Sequence, residues 1–99
     1  MNDAIERFVK YLRVERNASD LTVKSYREDL ESFLDYCRDR LRGVPAPDAY
    51  TVHDLRGYIS YLHECQYAKT TIARRLACLR TFFRFCAREK LCQGNPAKA

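Results

Sequence analysis

Seven basic side chains crowd into residues 69–90: Lys69, Arg74, Arg75, Arg80, Arg84, Arg88 and Lys90, opposed only by Glu89. That segment sums to +6 while the whole 99-residue chain carries +5, so the rest is close to neutral. Ammonium and guanidinium groups at this density neutralise phosphates, and the counterions they displace add to affinity. Stepping along the same segment, Ile72, Leu76, Leu79, Phe83 and Cys86 recur at helical spacing. One face therefore turns inward and much of the arginine set turns outward. A basic helix with a buried back suits a polyanion, nucleic acid above all. A solvated basic face on an ordinary helical domain fits the same pattern.

Two clusters have the residue types and positions for such contacts. At the start of the basic helix, Thr70 and Arg74 share the outer face one turn apart, with Lys69 at the helix start. Lys and Thr suit phosphate contacts at a helix N-terminus, and Arg is shaped to fork onto a guanine edge. Arg75 lies nearer the core boundary and is equally suited to run along a neighbouring helix. Upstream, if Val23, Tyr26 and Leu30 face inward, then Lys24, Ser25 and Glu28 project outward. Glu28, Asp29, Glu31, Asp35 and Asp39 all follow Arg27, so only the N-terminal end of that helix is fit to approach DNA.

Four helices can carry these clusters. The first spans about residues 3–15, capped by Asn2, with Ile5, Phe8, Val9 and Leu12 as its inner stripe. Ser19 caps the second, which runs to about Arg42 and turns Val23, Tyr26, Leu30, Phe33, Leu34 and Cys37 inward. Gly43, Pro45 and Pro47 stop it, and residues 43–50 read as a loop. Thr51 and Asp54 form a capping box opening the third helix, to about Cys65, with Leu55, Ile59 and Leu62 inward and Tyr58 and Tyr61 beside them. Residues 66–69 turn into the basic fourth helix, and Gly94-Asn95-Pro96 closes the chain. The expected fold is all-α, a single domain of four helices joined by short connections.

Catalytic and metal chemistry find little support. Five cysteines (Cys37, Cys65, Cys78, Cys86, Cys92) include no C-x-x-C pair, and three sit on or beside apolar helical positions as small hydrophobes. His63 and Cys65 are two apart and point to different sides of a helix. No glycine-rich phosphate loop or Ser, His and Asp arrangement is visible, and Tyr26, Tyr58 and Tyr61 fall on core stripes. No apolar run reaches the roughly 20 residues needed to cross a bilayer, and charges interrupt any signal peptide. The expectation is a cytoplasmic protein with no cofactor, no metal, no small-molecule substrate and no membrane partner.

Three stretches taken together resemble a known family. They are Phe8 to Leu12, Ser19-Asp20-Leu21-Thr22-Val23-Lys24-Ser25-Tyr26, and Thr71-Ile72-Ala73-Arg74-Arg75-Leu76 through Leu79-Arg80-Thr81-Phe82-Phe83, followed by Asn95-Pro96-Ala97. The combination is similar to the N-terminal core-binding domain of Xer-type tyrosine recombinases and phage integrases, and it covers nearly the whole chain. The resemblance implies a SAM-like four-helix bundle clamping one half of a double-stranded recombination site. By the resemblance, second-helix contacts fall on Lys24 and Ser25 and fourth-helix contacts on Thr70 and Arg74, with Thr22 and Thr71 as phosphate neighbours. Lys69 and Arg75 complete the candidate set. The family's catalytic residues belong to a C-terminal domain of which this chain holds none, so residues 1–99 read as one DNA-binding domain of a longer recombinase. That parent would assemble as a tetramer on paired sites and exchange strands without metal or ATP. Asp20 stands where the family often has proline; both suit a first helical turn, but a carboxylate there weakens phosphate contact.

The competing class is a helical protein-interaction module. Phe82, Phe85 and Cys78 would form a second apolar face on the last helix and dock a partner.

Overall fold

The computed structural model describes residues 1–41 and 43–97. Among them are four α-helices, one 3-10 turn and no strand. The chain divides into two compact units, Met1–Val44 and Pro45–Ala99.

In the first unit, α1 (Asn2–Val14) packs on α2 (Asp20–Arg40). Ile5, Phe8, Val9 and Leu12 of α1 are buried as their spacing requires, as is Ala4. The helix begins one residue earlier than expected, because Asn2 is already helical and the Met1 carbonyl accepts from the Ile5 amide at 2.9 Å. Asn2 is therefore not the cap, and no side chain caps α1. Asn17, at φ 49, turns the chain, and Ser19 then caps α2 by accepting from the Thr22 amide at 3.1 Å. Val23, Leu30, Phe33, Leu34 and Cys37 are buried; Tyr26 is half-buried, with its ring edge-on to Phe8 at 5.6 Å. Asp29 and Tyr36 are buried as well, so Asp29 is not one of the outward carboxylates. The helix stops at Arg40, and the expected end at Arg42 lies outside the described residues.

An ion pair crosses this helix pair. Arg27 donates to both carboxylate oxygens of Glu6, at 2.6 and 3.3 Å. This bond, together with the Arg27 charge, holds the Glu6 carboxyl below its ordinary range.

The second unit starts with a 3-10 turn, Pro47–Ala49, inside the segment expected to be loop. Tyr50 follows and is buried, its ring edge-on to Phe83 at 5.4 Å. Thr51 and Asp54 form the expected capping box, with bonds of 3.3 and 2.9 Å, and open α3 (Val52–Glu64). Leu55, Tyr58 and Leu62 are buried and Ile59 and Tyr61 half-buried. Gln66, at φ 63, reverses the chain, and α4 (Lys69–Arg88) packs on α3. Gln66 and Lys90 (φ 62) end their helices in the left-handed region, where glycine is usual. The amides after them close the ends: Tyr67 donates to the Leu62 carbonyl at 3.2 Å and Leu91 to the Cys86 carbonyl at 2.7 Å.

Along α4 burial is unequal. Residues 69–77 bury only Ile72, with Leu76 half-buried; from Cys78 onward the helix buries Cys78, Leu79, Phe82, Phe83, Phe85 and Cys86. Phe82 is wholly inaccessible and Phe85 only 5% exposed, so the apolar face required for partner docking is not at the surface.

The closing segment folds back instead of trailing away. Asn95 donates its amide to the Arg80 carbonyl at 3.0 Å, Arg80 Nε donates to the Ala97 carbonyl at 2.9 Å, and the Ala97 amide donates to Asn95 Oδ1 at 3.0 Å. Cys92 is buried nearby, its thiol pushed up by burial and then by Asp48. Asn95→Ala should therefore lower stability by about 2 kcal/mol, from two lost part-buried hydrogen bonds. Unfolding in urea measures this, with the exposed Gln93→Ala as a neutral control; equal stability of the two variants would contradict it.

The Glu6–Arg27 pair gives a pH signature. A carboxyl whose folded pKa is depressed contributes stability above its unfolded pKa and loses it as pH falls through the folded value. Glu6→Gln should weaken the protein slightly at neutral pH and not at all at strongly acidic pH, the pair being solvent-exposed. Denaturant midpoints at both pH values check the convergence.

Candidate nucleic-acid interface

Each unit presents one of the two clusters. On α2, Thr22, Lys24 and Ser25 are all exposed, because Val23 and Leu30 hold the opposite face in the core. The Ser19 hydroxyl donates to Thr22 Oγ1 at 3.0 Å, which ties Thr22 to the cap. Lys24 Nζ lies 3.9 Å from Glu28 Oε1, a loose, exposed i,i+4 pair. A cation so placed remains available to a stronger anion, since exposed pairs of this kind contribute little.

On α4, Lys69, Thr70 and Arg74 are exposed and Thr71 is half-buried. The N-cap is Ala68, no side chain caps the first turn, and the first turn holds no acid. Its leading amides thus keep their partial positive charge beside Lys69. The α2 and α3 termini differ, because Ser19 and Thr51 accept from theirs.

The remaining arginines divide by task. Arg75 is half-buried, with its guanidinium 4.4 Å from the centre of the Tyr67 ring. Burial works against its charge, but Tyr58 and Tyr67 more than offset this and hold it above the usual arginine value. Arg80 binds the closing segment. Arg84 and Arg88 are exposed, and Arg88 Nε lies 3.4 Å from Glu89. The spacing alone did not single out Tyr67, which is 43% exposed just ahead of α4. A lone tyrosine in a turn carries no periodic signal.

No group of three or more His, Cys, Asp or Glu among the described residues is placed to hold a metal. Among the described residues no helix is long and apolar enough to cross a membrane.

Among the described residues, then, four helices and no strand carry a basic, uncapped helix start in one unit and an outward Lys-Ser pair in the other. Residues 5–90 match the family described as phage integrase, N-terminal SAM-like domain, and the chain belongs to that family. Among individual proteins, it is 40% identical over 92 residues to the tyrosine recombinase XerC of Oceanobacillus iheyensis, covering 93% of this chain and 30% of the relative. It is 41% identical over 97 residues to tyrosine recombinase XerC of Pelotomaculum thermopropionicum, covering 93% of this chain and 31% of the relative. Against tyrosine recombinase XerC of Pseudomonas putida the identity is 35% over 97 residues, covering 98% and 32%. The chain thus spans about a third of the length of these relatives. No solved structure matches it.

The uncapped start of α4 yields a stability prediction. Ala68→Ser supplies the missing acceptor and should stabilise the protein by about 1 kcal/mol. In a chain of this length that is a rise in melting temperature of about 4–8 °C. Thermal melts of the variant and parent measure it, and an unchanged melting temperature would show that the first-turn amides already have a partner.

Proposed function

We propose that the chain is a DNA-binding module of a site-specific tyrosine recombinase, with residues 1–99 acting as one domain on a double-stranded recombination half-site. The observation that carries this reading is the first half of α4: exposed, free of acids in its first turn and lacking a side-chain cap. Membership of the integrase family and the tyrosine recombinase relatives support it.

In this reading Lys69, Thr70 and Thr71 hold backbone phosphates at the α4 N-terminus, and Arg74 reaches a guanine edge or a phosphate one turn on. Thr22, Lys24 and Ser25 make the corresponding contacts from α2. Strand breakage and rejoining belong to the remaining length of a full recombinase, assembled as a tetramer on paired sites in the cytoplasm. This module positions DNA and needs no cofactor of its own to do so. The partner-docking alternative loses its main support with the burial of Phe82, Phe85 and Cys78.

The test is fluorescence anisotropy of a labelled half-site duplex across a salt series. Log affinity should fall linearly with log salt, with a slope of about −0.9 per phosphate neutralised. Arg74→Ala should weaken binding about tenfold, while Arg38→Ala on the acidic half of α2 leaves it unchanged. Affinity that ignores salt, or equal losses from both variants, would sink the reading.

A further inference from the structure

Arg75 and Tyr67 form a preorganised pair at the start of α4. The Tyr67 backbone is fixed from behind, since Gln66 takes φ 63 and the Tyr67 amide donates to the Leu62 carbonyl at 3.2 Å. Its ring is covered by the Arg75 guanidinium, which lies over it 4.4 Å from the ring centre. Arg75 Nε is itself buried without a hydrogen-bond partner, so this arginine is committed inward, toward Tyr58 and Tyr67, while Arg74 beside it is exposed. Tyr67 keeps 43% of its surface in solvent and stands two residues before Lys69. A tyrosine hydroxyl held at such a place can donate to a phosphate oxygen without first being ordered, and ordering a free side chain is a main cost of any contact.

We propose that Tyr67 is a further contact to the DNA backbone and that Arg75 is its positioning residue, acting through the ring rather than touching DNA. The proposal rests on the DNA-binding reading above. It gives Arg75, which the sequence pattern places nearer the core boundary than Arg74, a role distinct from direct contact.

Three variants, Tyr67→Phe, Arg75→Lys and Tyr67→Phe/Arg75→Lys, are titrated with the same half-site duplex over the salt series, each after its melting temperature has been recorded. Tyr67→Phe keeps the ring against the Arg75 guanidinium and removes the hydroxyl together with its hydrogen bond to Arg75. Arg75→Lys keeps the charge but cannot lie flat on the ring. Tyr67→Phe should weaken binding about tenfold, the usual effect of losing a hydrogen bond to a charged group. Arg75→Lys should weaken it to a similar degree with the salt slope unchanged, and the double variant should be no weaker than either single one. Wild-type affinity in Arg75→Lys, or in Tyr67→Phe, would overturn the proposal, as would losses that simply add. If the parent chain itself binds no duplex, the DNA reading fails and this proposal falls with it; if the parent binds and these variants match it, only this proposal fails.

Discussion

The burial of α4 from Cys78 onward is the constraint on which the second unit depends. Cys78, Leu79, Phe82, Phe83, Phe85 and Cys86 occupy more than one stripe of the helix, so that part is enclosed on several sides. Burying each phenylalanine side chain contributes about 2 kcal/mol, enough together to fix the rotation of the helix about its axis. An α-helix transmits that rotation along its length. The stretch before Cys78, which buries only Ile72, is thereby held with Arg74 outward and Arg75 against Tyr67 although few core contacts of its own specify either. The closing segment reinforces the same half-way point, because Arg80 accepts from Asn95 and donates to Ala97.

Charge follows the same division. Residues 1–44 carry nine basic and nine acidic side chains, whereas residues 45–99 carry nine basic and four acidic ones. The excess of positive charge is therefore a property of the second unit. On α2, Lys24 stands at a loose pairing distance from Glu28 and the exposed carboxylates Glu31, Asp35 and Asp39 follow. The first turns of that helix present hydroxyls and a single exposed lysine, with little net charge.

The helices were legible because their signals are local. Ser19 and the Thr51–Asp54 box act within one turn, and the apolar stripes of α1 and α2 repeat at the helix period. The failures have equally local causes. Asn2 has the chemistry of a cap, but it is already the first helical residue, with Met1 at the cap position. Periodicity leaves open whether Phe82, Phe85 and Cys78 face a partner or the core, since it cannot say how many sides of a helix are covered, and the structure buries all three. Residues 47–49 carry two turn-forming signals that suit a loop and a 3-10 turn equally.

By itself the sequence determined the helical class, all four helix starts to within a residue, the concentration of positive charge on the last helix, and the outward placement of Lys24, Ser25, Thr70 and Arg74. Each follows from spacing or capping within a few residues. Only the tertiary structure decided what the arginines of α4 do: Arg75 lies on Tyr67, Arg80 holds Asn95 and Ala97, and Arg74 stays exposed. Their chemistry is identical, and what distinguishes them is which ring or carbonyl the fold brings within reach, over separations in sequence that no local pattern encodes.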